Sequence, residues 1–137
     1  MEYLIDTSAL FALLNRDDPA HSRANQIFKD IKKEHHSLIL LNFILAETHT
    51  LLRMRVGHEN ARTFLGSAIR DYTLLRVMDT DEMMAFQFLQ GSPYPLQLSY
   101  FDAVLCAVAD RLKTKKIFAF DKHFELMGLQ LLKPSHG

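Results

Sequence analysis

Short apolar segments alternate with longer helix-like segments along the whole chain. The apolar segments predict strands at residues 3–5, 38–41, 74–77 and 117–120, with a short last strand near residues 130–132. Apolar residues at helical spacing predict the intervening helices, over residues 8–14, 20–34, 43–56, 59–70, 79–89 and 100–113. Neighbouring parallel strands need a crossover connection, usually a helix, so this alternation predicts a parallel, doubly wound α/β sheet.

Turn-forming residues mark the boundaries between these elements. The Asp-Asp-Pro run at residues 17–19 predicts a break that caps the second helix, and Gly57 ends the third. The run Gly-Ser-Pro-Tyr-Pro at residues 91–95 predicts a loop, and Ser99 is the expected N-cap of the next helix. Because no linker, charge block or repeat divides the 137 residues, we expect a single domain over residues 1–137.

Composition limits the compartment and the partners. The longest apolar runs are shorter than the roughly 20 residues that a membrane helix needs, and Asp6 interrupts the N-terminus, so neither a membrane span nor a signal peptide is expected. A single cysteine, Cys106, cannot form an internal disulfide, which favours the cytoplasm. With 16 basic and 16 acidic residues the net charge is zero, so any affinity for nucleic acid must be local.

Four acidic residues lie close to the ends of predicted strands. Asp6 follows the first strand, and Asp121 ends the strand at residues 117–120. Glu47 lies one turn into the helix after the second strand, and Asp102 lies in the first turn of its helix. In a parallel sheet the carboxyl ends of the strands and the starts of the following helices lie at one edge. We therefore expect the four carboxylates to converge there.

Each acid also has an ordinary structural explanation. Asp6 and Asp121 could cap the helices that follow them, and Asp102, three residues after Ser99, fits a capping box. Glu47 could be a helix-surface residue. Together, however, several partly buried carboxylates would repel one another and raise their pKa values unless a cation held them. Hard divalent ions prefer oxygen ligands and retain waters, so the combination favours an Mg²⁺ or Mn²⁺ site.

The four acids stand in four short segments: Asp-Thr-Ser-Ala-Leu at residues 6–10, Leu-Ala-Glu-Thr at 45–48, Ser-Tyr-Phe-Asp-Ala at 99–103 and Phe-Asp-Lys-His-Phe at 120–124. In this order they resemble the sequence signatures of PIN-domain ribonucleases, and of VapC-type toxins of bacterial and archaeal toxin–antitoxin pairs in particular. The resemblance extends from about Met1 to Leu132. It implies a five-stranded parallel sheet flanked by helices, an Mg²⁺- or Mn²⁺-dependent endoribonuclease site for single-stranded RNA, and an antitoxin partner.

The resemblance also carries roles for the four acids. We expect Asp6 and Asp102 to be the principal metal ligands, while Glu47 and Asp121 bind a second ion or orient the attacking water. The sequence does not decide which of these two roles belongs to Glu47 and which to Asp121.

The chain departs from the family pattern at one position. Such proteins commonly carry Ser or Thr two residues before the fourth acid, whereas this chain has Ala119. Ser8 and Ser99 match hydroxyl positions of the family and could take part of that role. The departure puts the level of activity in question.

Other functions fit the sequence less well. A receiver domain would show adjacent acids after its first strand, and a phosphatase with an aspartyl nucleophile would show Asp-x-Asp, but Ser8 stands at that second position. The seven histidines have no zinc-binding spacing. The alternative that we keep is a non-catalytic or weakly active PIN-fold protein that binds RNA or protein.

Two surfaces are candidates for contacts with other molecules. The helix at residues 79–89 carries apolar side chains in most directions, for which core burial is the default interpretation and a homodimer interface the more specific one. The basic cluster at residues 113–116 should lie at the sheet edge opposite the acids. Arg53 and Arg55, about 9 Å or more along the helix axis from Glu47, could contact a longer RNA strand.

Overall fold

The computed structural model describes residues 1–91 and 98–135. Five parallel strands in these ranges form one sheet in the order β3-β2-β1-β4-β5. The strands are β1 (Glu2–Ile5), β2 (Ser37–Leu41), β3 (Thr73–Leu75), β4 (Lys116–Phe118) and β5 (Gln130–Leu131). The helices are α1 (Thr7–Leu14), α2 (His21–Lys33), α3 (Asn42–Arg55), α4 (His58–Asp71), α5 (Asp79–Gly91), α6 (Tyr100–Leu112) and α7 (His123–Leu126). The predicted α/β architecture, a five-stranded parallel sheet flanked by helices, is confirmed.

The central strand β1 is covered on both faces. Leu4 pairs with Ile39 of β2 on one side and with Ile117 of β4 on the other. Successive residues of a strand point to opposite faces, and both Leu4 and Ile5 are buried. The chain builds outward from β1 to β3 and then returns to place β4 on the other side of β1. That reversal is the switch point at which parallel sheets commonly bind ligands.

Two strands end earlier than the sequence predicts. The strand predicted at 117–120 ends at Phe118, because the main-chain N–H of Phe120 donates to Ser8 Oγ at 3.0 Å instead of continuing the ladder. The strand predicted at 74–77 ends at Leu75, since the N–H of Val77 donates to Asn42 Oδ1 at 2.8 Å. The prediction that Asp121 ends a strand was therefore wrong, and Asp121 lies in the turn that follows.

Other predicted boundaries shift less. The second helix begins at His21, and Asp18 does not cap it directly, because its Oδ1 accepts the N–H of Ala20 at 2.8 Å in the preceding turn. Gly57 precedes α4 with a φ of 141°, a conformation that glycine adopts readily, so the third helix stops here as predicted. Of the predicted loop at 91–95, Gly91 ends α5 and the rest lies outside the described residues.

An ion pair between a buried aspartate and a partly exposed arginine joins α5 to α6. Arg111 donates from Nε and from a terminal nitrogen to the two carboxylate oxygens of Asp81, at 2.8 and 2.9 Å. Asp81 is only 3% exposed and also accepts the N–H of Met78 at 2.9 Å. Burial alone raises the pKa of Asp81, but the hydrogen bonds from Arg111 and Met78 outweigh it and hold the pKa below its ordinary value. The pair therefore fixes the start of α5 against the end of α6.

Helix α6 packs in the interior along most of its length. Its residues 102–109 are buried, and Cys106 is among them, as the apolar neighbours of this cysteine predict. No helix within residues 1–91 or 98–135 is long and apolar enough to cross a membrane.

Replacing Arg111 with Ala should lower the free energy of unfolding by about 2 kcal/mol, because it leaves the buried Asp81 carboxylate without its cation. The loss is smaller than for a fully buried pair, since solvent screens the partly exposed arginine. Chemical denaturation measures it, with Arg62→Ala as control, an arginine in an exposed pair with Glu59. The double variant Asp81→Asn, Arg111→Ala should recover part of the loss, and a double variant no more stable than Arg111→Ala would contradict this account.

Candidate functional site

All four predicted acids line one cleft at the carboxyl ends of β1 and β4. Its volume is about 490 Å³. The lining residues are Asp6, Thr7, Ser8, Phe11, Asp18, Ala20, Glu47, Leu51, Arg55, Ser99, Asp102, Phe120 and Asp121. The four acids thus share one cavity at the switch point of the sheet, and their chemical roles stay predictions.

Asp6 combines a structural contact with an unused oxygen. It is the N-cap of α1, where its Oδ2 accepts the N–H of Ser8 at 3.2 Å and the hydroxyl of Ser8 at 2.8 Å. The whole residue is 2% exposed, and its other oxygen, Oδ1, is buried without a hydrogen-bond partner in the described part of the chain. The capping explanation of Asp6 is therefore correct, yet it accounts for only one of the two carboxylate oxygens.

Asp102 is also held by helix capping. The Ser99 hydroxyl accepts the N–H of Asp102 at 3.1 Å, and Asp102 Oδ2 accepts the N–H of Ser99 at 3.2 Å, which completes the predicted capping box. The Nε2 atom of His123 lies 3.1 Å from the same oxygen, although the ring is not oriented to hydrogen-bond to it. His123 belongs to the segment at residues 120–124 that contains Asp121, but its contact with Asp102 depends on the turn after β4.

A chain of buried hydroxyls orients Glu47. Thr7, the residue after Asp6, donates its hydroxyl to Glu47 Oε1, and Thr48 donates to Thr7 Oγ1 at 3.2 Å. Both threonines are buried. The sequence analysis did not single out either one, since only the packing of α1 against α3 brings them together.

Burial and mutual repulsion shift the pKa values of these acids. Burial, with the Asp102 charge adding to it, raises the pKa of Asp6 to about 7, although hydrogen bonds from Ser8 act in the opposite direction. Burial also raises the pKa of Glu47, against the hydrogen bond from Thr7, and the charges of Asp102 and Asp121 add to the increase. The carboxylates therefore repel one another electrostatically across the cleft.

Asp121 is the most loosely held of the four acids. Its side chain is exposed, and the alternative that it caps α7 is wrong, because the N-cap is Lys122 and has no side-chain cap. Ala119, where the resemblance leads to the expectation of a hydroxyl, is buried. Ser8 bridges part of this region, since it donates to Asp6 and accepts the N–H of Phe120 at 3.0 Å.

The cleft suits a hard cation but is not a finished coordination sphere. The buried, unpartnered Asp6 Oδ1 and an all-carboxylate donor set fit Mg²⁺ or Mn²⁺. Within residues 1–91 and 98–135, however, no three His, Cys, Asp or Glu side chains are grouped closely enough to hold an ion. The four acids line one cleft without forming such a group.

The basic residues divide between the two ends of the sheet. Lys116 begins β4, so the cluster at residues 113–116 lies at the end opposite the acids, as expected. Arg55 lines the cleft, whereas Arg53 does not. Asp18 is a further acid of the cleft that sequence analysis missed, because it lies in a loop rather than after a strand.

The stability of the protein in a chelator should fall as the pH rises from about 4 to about 7. Asp6 keeps its proton up to about pH 7 when folded but loses it near its ordinary value of 3.8 when unfolded, so the folded state binds more protons in this window. Asp6→Asn should remove most of this dependence and retain the cap, because Asn caps helices as well as Asp. Thermal melts across the window measure it, and equal slopes in both proteins would contradict it.

The described fold matches that of known proteins. VapC20 of Mycobacterium tuberculosis, described as a Sarcin-Ricin loop cleaving toxin, has a TM-score of 0.85 and 28% identity, covering 96% of this chain and 99% of that chain. VapBC2 from Rickettsia felis, bound to a promoter DNA fragment, has a TM-score of 0.73 and 12% identity over 96% and 98% of the two chains. VapBC-1 from nontypeable Haemophilus influenzae has a TM-score of 0.70 and 15% identity over 97% and 98%.

The last two likenesses concern the fold alone. No curated protein matches the chain. The PIN domain family matches residues 3–128, which include all four acids. The chain therefore belongs to the PIN-domain family.

Proposed function

We propose that this protein is an Mg²⁺- or Mn²⁺-dependent endoribonuclease that cleaves single-stranded regions of RNA, and that it is the toxin of a toxin–antitoxin pair. Membership of the PIN family and the likeness to VapC20 support a ribonuclease of this type. The observation that carries the proposal is the convergence of Asp6, Glu47, Asp102 and Asp121 on one cleft at the switch point of the sheet.

In this proposal the side chains have different tasks. Asp6 and Asp102 are the principal ligands, since each uses Oδ2 for capping and has a second oxygen for other contacts. Glu47, held by Thr7, and the more exposed Asp121 orient the attacking water or bind a second ion. A bound Mg²⁺ or Mn²⁺ would supply charge neutralisation for the phosphodiester and a lower pKa for a water molecule.

Replacing Asp6 or Asp102 with Asn should reduce metal-dependent RNA cleavage by at least ~10²-fold, because a lost ligand removes charge stabilisation worth several kcal/mol. Both substitutions keep a capping side chain, so the fold should persist. Cleavage of a mixed RNA pool with Mn²⁺ measures the effect, with Asp110→Asn as a control on the exposed side of α6. Equal activity in wild type and both site variants would refute the assignment.

A thermal melt separates loss of metal binding from loss of fold. At about 100 times its dissociation constant, a single-site ion should add ~2.7 kcal/mol to the stability of the wild type. Asp102→Asn should gain less from the same Mn²⁺ concentration. Equal shifts in the two proteins would count against a carboxylate metal site.

The second candidate is a non-catalytic or weakly active PIN-fold protein that binds RNA or protein. It is favoured by the spacing of the acids, which form no group tight enough to hold an ion among the described residues, and by Ala119 at the family's hydroxyl position. RNA binding without metal-dependent cleavage would favour this candidate over the nuclease.

We also propose that α5 contributes to a homodimer and that an antitoxin segment covers or enters the acidic cleft. Met83 and Phe86 are 62% and 53% exposed, and the Phe86 ring lies 5.9 Å from that of Tyr100, so an apolar surface continues from α5 to α6. Exposed apolar surfaces of this kind commonly mark protein contacts. An antitoxin partner is what the resemblance to VapC-type toxins implies for this chain, and the structures that share its fold include VapBC2 and VapBC-1.

Replacing Phe86 with Glu should shift the protein toward a monomer, because a charge on the proposed interface would have to be desolvated on association. Light scattering at micromolar and higher concentrations measures the oligomeric state. Ile69→Glu is the matched control, since Ile69 is 76% exposed on α4. A monomeric wild type, or a dimer that tolerates Phe86→Glu, would contradict the proposed interface.

A further inference from the structure

The acid cleft has a second part that the four carboxylates do not explain. It is lined by two half-buried aromatic rings, Phe11 and Phe120, and by Leu51 and Arg55. We propose that these four side chains form a nucleotide subsite, which holds one nucleotide of single-stranded RNA next to the phosphate at the acids. This inference rests on the proposed ribonuclease function and names how the same cleft holds its substrate.

Helix α3 contributes three residues of different character, one acidic, one apolar and one basic, to the cleft. Glu47, Leu51 and Arg55 follow one another at four-residue spacing, so they lie along one helix face. At 1.5 Å per residue, Arg55 is about 12 Å along the axis from Glu47. Along this face the side chains therefore change from an acid through an apolar residue to a cation. Arg55 lies about two helical turns from Glu47, so in this proposal it contacts a phosphate next to the one at the acids.

The aromatic wall is fixed to the acids. The N–H of Phe120 donates to Ser8 Oγ at 3.0 Å, and the Ser8 hydroxyl donates to Asp6 Oδ2 at 2.8 Å. The Phe120 ring also packs edge-on against the buried Phe118, with 6.1 Å between centroids. Two hydrogen bonds thus tie the main chain of Phe120 to Asp6, and the contact with Phe118 holds the ring. A base placed on the ring is held at a defined position relative to the carboxylates.

The second aromatic ring of the cleft comes from α1. Phe11 lies three residues after Ser8, so it shares a helix face with the serine that anchors Phe120. The cleft volume of about 490 Å³ is within the range of small-ligand sites and leaves room for a nucleotide beside the acids. Stacking on aromatic rings tolerates any base, as a general single-strand site requires.

The charge pattern favours a nucleic acid over a protein segment. A basic peptide side chain would be attracted by the acids but repelled by Arg55, whereas an RNA strand offers a phosphate to each end of the cleft. The guanidinium fork of arginine matches the geometry of a phosphate. In the part of the chain that the structure describes, Arg55 is exposed and has no ion pair.

Arg55 also has a simpler explanation. It lies in the last turn of α3, where a cation complements the helix dipole. Arg53 lies in the same turn and is also exposed, but it does not line the cleft. A dipole effect would therefore be shared by both arginines, and a phosphate contact would belong to Arg55 alone.

The test is binding of a short fluorescent single-stranded oligoribonucleotide to the full chain, followed by anisotropy. Ca²⁺ replaces Mg²⁺ and a gel checks that the probe stays intact. Arg55→Ala should weaken binding and reduce the slope of log K against log salt by about 0.7, the contribution of one single-strand phosphate. Arg53→Ala should leave that slope unchanged.

Phe11→Leu and Phe120→Leu test the base contacts, because leucine keeps an apolar side chain and removes the ring. Each should weaken binding by about fivefold or more without changing the salt slope. Phe28→Leu is the control, a half-buried aromatic of α2 outside the cleft. Thermal melts identify a variant that fails to fold. If Phe120→Leu does not fold, Phe11→Leu and Arg55→Ala decide the result.

The nucleotide subsite would be overturned by any of these results: no oligoribonucleotide binding by the wild type, equal behaviour of Arg55→Ala and Arg53→Ala, or phenylalanine variants that bind as well as Phe28→Leu. If Arg55→Ala leaves RNA affinity unchanged but weakens binding of the protein encoded by an adjacent gene, the surface recognises protein and the subsite is also overturned. Arg55-dependent binding without any cleavage in Mn²⁺ would support the subsite and contradict the nuclease. Cleavage that is unaffected by Arg55→Ala would support the nuclease and contradict the subsite.

Discussion

The burial of one carboxylate at the end of the central strand governs the chemistry of the cleft. Asp6 has to be there because it caps α1 through Oδ2, and an apolar residue would lose that cap. The same position removes Oδ1 from water without a hydrogen-bond partner among the described residues. A buried unpaired charge is costly, so the group either keeps a proton, as its pKa of about 7 indicates, or requires a cation.

Capping and site chemistry are compatible in this protein because a carboxylate has two oxygens. Asp102 repeats the arrangement of Asp6, with Oδ2 engaged in a capping box at the start of α6. The two helix starts lie on either side of the sheet reversal, so the caps that begin the helices also bring the acids together. The ordinary explanations weighed for these two residues were thus correct without excluding a shared role.

The sheet and the common cleft could be predicted because they follow from periodicity and from the geometry of parallel strands. Finer features depend on contacts between segments far apart in the chain. The hydroxyl of Ser8 ends β4 by bonding to Phe120, and Thr7 orients Glu47 from another helix. No local pattern contains these pairs. The prediction that Asp121 ends a strand was wrong for the same reason, since the contact that stops β4 at Phe118 is tertiary.

The interior beneath the acids bears on the choice of metal. Cys106 lies one turn after Asp102 on α6, where burial raises the pKa of its thiol to about 12 and the charges of Asp102 and Asp6 add to the increase. A thiol binds soft ions strongly only as the thiolate, which is scarce at neutral pH when the pKa is so high. Burial, with the carboxylate charges adding to it, therefore keeps this sulfur protonated, and Cys106 does not line the acid cleft, whose acids offer oxygen ligands. Oxygen donors favour a hard ion such as Mg²⁺ or Mn²⁺ over a soft one, so the donor set of the cleft is what supports the proposed choice of metal.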